Sequence, residues 1–133
     1  MNVSRIESYP LFLSRPSAGF PAPGDDSVDE YLNINDLLVK NPSATFFVRV
    51  EGDSMEGAKI FSGDVLVVDR SMIPKTGSVV VAAVYGEMVV KRLLINTKGS
   101  FLISEKEGYE PIELTDKDEC FIWGVVVGSA RVF

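Results

Sequence analysis

The sequence predicts a mainly β protein, in which a compact, highly curved β domain with one short helix follows an extended N-terminal arm. Short runs of β-branched and aromatic residues recur from residue 45 onward, and glycine-containing turns separate them. Four of the seven prolines fall within the first 32 residues. The total of 133 residues is about the size of one ordinary domain. We therefore expect an arm over residues 1–32 and a β domain over residues 33–133.

The arm is expected to be extended because each proline restricts its own backbone and that of the residue before it. These prolines are Pro10, Pro16, Pro21 and Pro23. Apolar residues lie among them and indicate that the arm docks on another surface; they are Tyr9, Leu11, Phe12 and Phe20. A disordered tail is the open alternative.

The elements after the arm follow from capping and turn residues. A short helix is expected between Leu32 and Lys40, with Asn33 or Asn35 as its N-cap and Asn41-Pro42 at its end. The strands predicted after it are Phe46–Val50, Val65–Val68, Ser78–Val84, Met88–Val90, Phe101–Ile103 and Phe121–Val127, with a hairpin turn at Tyr85-Gly86-Glu87. Regular short strands of this kind predict the curved β domain.

Composition excludes several classes of function. The formal charge is −6, which disfavours direct nucleic-acid binding because phosphate contacts dominate that affinity. The chain has no histidine, so histidine-based triads and dyads and the commonest zinc ligand are excluded. Cys120 is the single cysteine, so neither an internal disulfide nor a multi-cysteine metal site is expected. We expect no cofactor and no metal.

The compartment is predicted from two further observations. The N-terminus has no apolar run behind a basic start, so no signal peptide is expected. The longest apolar stretches are of strand length, which is too short to cross a membrane. A cytoplasmic protein without membrane contact is the expectation.

The most unusual local segment is Gly52–Lys59, which follows a predicted strand. It departs from a phosphate-binding loop because Ala58 and Ile60 stand where lysine and a hydroxyl residue are needed. What remains is Ser54 at a strand end beside glycine, where a sharp turn can expose its Oγ and direct nearby backbone N–H groups at an oxyanion. A plain loop with Ser54 as a turn residue is the alternative.

Without histidine, a serine nucleophile needs another base, and a neutral lysine must be desolvated to serve. Five of the seven lysines lie in polar or turn contexts, namely Lys40, Lys75, Lys98, Lys106 and Lys117, and Lys59 is a weak candidate in a glycine-rich loop. Lys91 lies inside an apolar strand and shares a face with Val89 and Leu93. The alternative is an exposed strand-edge lysine.

The remaining candidates receive structural interpretations. The carboxylates Asp25, Asp26, Asp29, Glu30, Asp64 and Asp69 are expected to be solvated and structural, because aspartate is common at turns. Trp123 is expected in the core, and Cys120 is expected to be a small core or loop residue.

Taken in order, these motifs resemble the LexA-type self-cleaving Ser/Lys peptidases, and most closely their UmuD branch. Gly52-Asp53-Ser54-Met55 is followed by Val90-Lys91-Arg92-Leu93, with 37 residues from Ser54 to Lys91. Further similar segments are Pro10-Leu11-Phe12, Ala18-Gly19-Phe20-Pro21, Asn41–Thr45, Gly63–Asp69 and Trp123–Val126. Repressor members carry a helix-turn-helix domain, for which the arm of 32 residues has no room.

The resemblance implies a LexA/signal-peptidase-like fold and a set of roles. Ser54 would be the nucleophile, Lys91 the general base and Ala18-Gly19 the scissile bond, with the backbone N–H groups of Asp53 and Ser54 as oxyanion donors. It also implies a homodimer that a RecA–single-stranded DNA filament stimulates to cleave itself. The product would join a UmuC-like, Y-family translesion polymerase in the SOS response.

Two other functions stay open on the sequence. A non-catalytic β interaction module would leave Ser54 and Lys91 incidental and the arm merely docked. A small OB-like nucleic-acid binder is disfavoured by the charge of −6.

Overall fold

A computed structural model describes residues 7–14, 30–115 and 119–133 of the chain. The chain divides into two units, residues 1–40 and residues 41–133. Most elements are strands, which confirms the predicted fold class. None of the helices within the described ranges is long and apolar enough to cross a membrane.

The first unit contains a strand pair and a short helix. Strand β1 (Ser8–Leu11) pairs antiparallel with β2 (Glu30–Asn33), a pairing that the proline-rich sequence did not predict. Helix α1 (Ile34–Leu38) follows directly. The Asn33 side chain accepts a hydrogen bond of 2.8 Å from the Asn35 backbone N–H, which confirms Asn33 as the N-cap. The predicted boundary after residue 32 stays a prediction.

The second unit is a seven-stranded antiparallel sheet in the order β3-β4-β9-β5-β6-β7-β8. The strands are β3 (Thr45–Arg49), β4 (Val65–Asp69), β5 (Val79–Val84), β6 (Glu87–Asn96), β7 (Gly99–Ile103), β8 (Ile112–Leu114) and β9 (Cys120–Ala130). Short 3₁₀ turns at Pro42–Ala44 and Glu56–Ala58 flank β3. Each predicted strand has a counterpart here; β8 was not predicted because only three residues form it.

The hairpin between β5 and β6 is confirmed. Val84 pairs with Glu87, and the two residues between them, Tyr85 and Gly86, have φ angles of 51° and 81°. Positive φ at both central positions suits the right-handed twist of the flanking strands. The hairpin sets the register that turns Lys91 inward opposite Val80.

Strand β5 is buried on both faces, which explains its unbroken apolar sequence. Val81 packs in one core cluster with Met55 and Leu66, whereas Val80 and Ala82 pack in a second cluster with Leu102. Irregular pairing in the β4–β9 and β5–β9 ladders interrupts the regular pleat. Bulges of this kind bend a sheet and increase its twist, as a highly curved domain requires.

Asp64 and Asp69 were expected to be solvated, and that expectation is wrong, since each is only 2% exposed. Asp64 accepts hydrogen bonds from Arg131 at 2.7 and 2.9 Å and from the Phe61 backbone N–H at 2.9 Å. Asp69 accepts from the Asn41 side chain at 2.7 Å and from the Ser71 hydroxyl at 2.6 Å. Their roles are structural, because these partners replace the lost water.

Trp123 was expected in the core but is 39% exposed. Its ring meets Phe46 edge-on, with 6.3 Å between the ring centroids, and lies 6.1 Å from that of Phe121. The alternation of β9 places Trp123 and Phe121 on its more exposed face, so an apolar strand alone did not reveal which side is covered.

Replacing Asp64 with asparagine tests the ion pair between the buried Asp64 and the exposed Arg131. Arg131 and the Phe61 N–H lower the pKa of Asp64 from 3.8 to about 2. A lowered folded-state pKa contributes stability above pH 3.8, and that contribution is lost as the pH falls through about 2. We expect D64N to melt several degrees below the wild type at neutral pH, and the gap to narrow in acid.

Thermal unfolding followed by circular dichroism at neutral and acidic pH measures this gap. The control is Glu113→Gln, which removes an exposed carboxylate on β8. A gap between D64N and the wild type that stays constant with pH would contradict the assignment.

Candidate active site

Ser54 lies in the loop between β3 and the 3₁₀ turn at Glu56–Ala58. The next residue, Met55, is 2% exposed and packs in the first core cluster, so it anchors the loop. Gly52 has a φ of 89°, which lets the chain turn sharply before the serine. Ser54 itself is half-buried at the surface of the core.

Two backbone hydrogen bonds attach this loop to the segment that follows β7. The Glu105 N–H donates to the Ser54 carbonyl at 2.8 Å, and the Gly57 N–H donates to the Glu105 carbonyl at 2.7 Å. A Cβ at Gly57 would lie only 2.3 Å from the Glu105 carbonyl oxygen, so glycine is required there. The serine loop is therefore fixed from both ends, by the core and by Glu105.

Lys91 lies on β6 and is 8% exposed, so the interpretation as an exposed strand-edge lysine is wrong. Its Nζ donates to the Ser104 hydroxyl at 2.6 Å and lies 4.8 Å from the centroid of the Tyr109 ring. Burial lowers the pKa of Lys91, because removal of water disfavours the charged form. This is the environment that a lysine base requires.

Ser54 and Lys91 line one cavity of about 320 Å³. Within the part of the chain that the structure describes, the hydrogen bond of Lys91 Nζ goes to Ser104 and none joins it to Ser54. The other lining residues are Val48, Arg49, Val50, Glu51, Gly52, Met55, Met88, Val89 and Val90. Ser54 and Lys91, which lie 37 positions apart in the sequence, thus share a mostly apolar cleft.

Two strand edges border this cleft. Strand β3 ends the sheet and pairs on one side with β4. Strand β6 pairs with β7 only from Arg92 onward, so the outer edge of its preceding residues is unpaired among the described residues. Free edges of this kind can bind an extended peptide through its backbone.

A charged cluster lies beside the serine loop. The Asp53 carboxylate accepts from Lys106 Nζ and from the Tyr109 hydroxyl, each at 2.5 Å, and Lys106 also contacts Glu56 at 3.2 Å. The hydrogen bond from Lys106, with that from Tyr109, lowers the pKa of Asp53. The Asp53 carboxylate in turn raises the pKa of the Tyr109 hydroxyl.

The structure places Ser54 and Lys91 in one cavity, whereas other predicted site residues are not described or not tested. Ala18 and Gly19 lie outside the described residues, and the oxyanion role of the Asp53 and Ser54 N–H groups stays a prediction. Cys120 is partly buried at the start of β9. Among the described residues, no group of three or more carboxylates, cysteines or histidines could hold a metal.

Ser104, Lys106 and Tyr109 were missed by sequence reasoning. All three lie beyond β7, and Lys106 and Tyr109 reach Asp53 across more than 50 residues of sequence. Their own neighbourhood is polar and reads as an ordinary loop, so no local pattern connects them with the site.

Comparison with known proteins gives a consistent result. The model of the Peptidase S24-like family matches residues 10–127. The protein MucA of Salmonella typhimurium is 44% identical over 128 residues, which cover 95% of this chain and 86% of MucA. The protein ImpA of Shigella flexneri is 45% identical over 94 residues, which cover 69% of this chain and 65% of ImpA.

A LexA repressor is also similar. That of Alcanivorax borkumensis is 34% identical over 125 residues, which cover 94% of this chain and 60% of the repressor. The chain therefore spans less than two thirds of the length of ImpA and of this repressor.

Titration of the lysines tests the environment of Lys91 directly. We expect its amine to lose its proton at a lower pH than an ordinary solvated lysine, because burial lowers its pKa. The measurement is NMR of protein labelled with carbon-13 at lysine Cε, followed as the pH is raised. Lys91→Gln removes one resonance and so assigns it. Titration of Lys91 together with the exposed lysines would contradict a desolvated amine.

Proposed function

Because this chain belongs to the Peptidase S24-like family, we propose that it is a self-cleaving peptidase with a Ser54/Lys91 dyad. The observation that carries the proposal is the shared cavity, which is lined both by a serine at a fixed turn and by a buried lysine whose pKa is lowered. The substrate is the Ala18-Gly19 bond of the chain's own arm. A small residue followed by glycine lets an extended peptide approach the serine closely.

The reaction proceeds through an acyl-enzyme. The neutral Lys91 amine takes the Ser54 hydroxyl proton while Oγ attacks the Ala18 carbonyl carbon. Backbone N–H groups of Asp53 and Ser54 stabilise the resulting oxyanion. The C–N bond then breaks, and the Gly19 amine leaves with the proton from Lys91. Water, deprotonated by Lys91 in its turn, hydrolyses the ester between Ser54 and Ala18.

The two free strand edges support an extended substrate. An arm that enters the cleft can form backbone hydrogen bonds with the edges of β3 and β6, which holds its carbonyl in a fixed orientation. Because the bond and the dyad belong to one chain, their effective concentration is high. Control therefore depends on conformation and on the protonation state of Lys91.

The relatives and the resemblance to UmuD support a proposed biological setting. The chain acts in SOS mutagenesis as an accessory subunit of an error-prone, Y-family translesion polymerase with a UmuC-like catalytic subunit. A RecA–single-stranded DNA filament stimulates the cleavage, and the active form is a cytoplasmic homodimer that begins at Gly19. The charge of −6 supports contact with DNA through these partners rather than directly.

Self-cleavage of the purified chain tests the dyad. We expect conversion to a fragment that begins at Gly19, at a rate that rises about tenfold per pH unit until Lys91 is neutral and then levels off. The rate rises with pH because Lys91 can act as a base only after its ammonium has lost a proton. Ser54→Ala and Lys91→Ala should each slow cleavage by about 100-fold or more. Intact-mass spectrometry over time gives the rates and the cut site.

Matched controls are Ser100→Ala on β7 and the exposed Lys98→Ala, neither of which lines the cavity. Both should cleave at the wild-type rate. Cleavage by S54A at that rate would overturn the dyad. A wild-type chain that stays intact at alkaline pH, with and without a RecA filament, would favour the non-catalytic interaction module.

A further inference from the structure

Ser104 is the hydrogen-bond partner of the Lys91 amine. It follows β7 directly, is partly buried, and its hydroxyl accepts the Lys91 hydrogen bond at 2.6 Å. We propose that Ser104 is the positioning residue of the Lys91 base, holding the amine so that its lone pair is directed at Ser54. This inference rests on the proposed function of the dyad.

The need for such a residue follows from the chemistry of an amine. A neutral lysine amine has two N–H bonds and one lone pair, and it rotates freely about the Cε–Nζ bond. An acceptor for one N–H restricts that rotation. The Ser104 Oγ is such an acceptor, and it leaves the lone pair free to take the Ser54 proton on the cavity side.

The same hydrogen bond becomes stronger during the reaction. Once Lys91 has taken the proton it is an ammonium, and a hydrogen bond from a charged donor is roughly twice as strong as a neutral one. Ser104 therefore stabilises the charge that develops on Lys91 as the tetrahedral intermediate forms. A contact that strengthens in the transition state accelerates the chemical step.

The position of Ser104 is coupled to that of the nucleophile. Its neighbour Glu105 makes both backbone hydrogen bonds to the serine loop, through Ser54 and Gly57. The Glu105 carboxylate also forms an ion pair with Arg92, the residue after Lys91. Ser104, which binds the Lys91 amine, and Glu105, which binds the serine loop, are thus consecutive residues.

Among the residues that the structure describes, none of the charged groups around Lys91 accepts a hydrogen bond from its amine. The amine lies over the face of the Tyr109 ring, whose hydroxyl donates to Asp53. The titratable groups on the surrounding elements lie on the serine side, on β6 and after β7; they are Arg49, Glu51, Asp53, Glu56, Glu87, Arg92, Glu105, Lys106, Glu107, Tyr109 and Glu110. Among the described residues, the hydrogen bond to Ser104 is the one that orients the amine.

The pH dependence of self-cleavage separates positioning from a merely structural role. We expect Ser104→Ala to lower the plateau rate at alkaline pH by about 10-fold, because the amine is no longer oriented. The midpoint of the rate profile should also move to lower pH, because the ammonium loses a charge-assisted hydrogen bond. Ser100→Ala, on the preceding strand, should change neither quantity.

A matched pair of variants isolates the hydroxyl. Thr and Val have the same shape, so Ser104→Thr should recover most of the plateau rate and the midpoint, whereas Ser104→Val should behave like S104A. Circular dichroism melting curves establish the folded fraction of each variant. The proposal would be overturned if S104A and S104V are both folded and both keep the plateau rate and the profile midpoint of the wild type. Equal loss in S104T and S104V would overturn it as well.

The outcome is distinguishable from failure of the proposed function. If the wild type itself does not cleave, the dyad is wrong, and carbon-13 titration of Lys91 in S104V and S104T still reports on the hydrogen bond. A lower Lys91 pKa in S104V than in S104T supports the contact, and equal values overturn it. If the wild type cleaves and S104V has the same rate profile, the dyad is supported and the role proposed for Ser104 is wrong.

Discussion

The removal of one amine from water is the constraint on which the rest of the site depends. Lys91 is 8% exposed, so the ammonium form loses most of its hydration. Lys91 pairs with Val80 of the second core cluster, and its Nζ lies over the Tyr109 ring, so both neighbours shield the amine from water. The amine keeps one hydrogen-bond partner, Ser104, which prevents burial from leaving it unsatisfied. A chain without histidine thereby acquires a group able to act as a base.

The cleft lies beside strand edges that have no partner strand among the described residues. β3 and β8 end the sheet at its two sides, and the first half of β6 extends beyond β7. Of these edges, those of β3 and β6 border the cleft, since both strands contribute lining residues. At these two edges, the unpaired backbone that would otherwise favour aggregation is located where an extended peptide can use it.

Much of this arrangement is predictable from the sequence, and the remainder depends on contacts between distant residues. Six of the seven strands of the large sheet and the helix cap follow from local patterns, and the burial of Lys91 follows from its apolar neighbours on β6. The burial of Asp64 does not, because its partner Arg131 lies 67 residues away. Ser104 and Tyr109 stand in a polar loop whose importance arises only when it folds against Lys91. The exposure of Trp123 was likewise not predictable, because the sequence of an apolar strand does not indicate which of its two faces is covered by other residues.

The position of β9 has a consequence for when the site can form. It lies between β4 and β5, so it separates β3 and β4, which flank the Ser54 loop, from the half of the sheet that carries Lys91. Yet Cys120–Ala130 comes after both halves in the chain. During synthesis, Ser54 and Lys91 therefore emerge before the strand that joins the two halves. Until β9 has been made, the nascent chain carries these two residues on strands that are not yet joined into one sheet, so the site that the proposed function requires forms only after the last strand has folded.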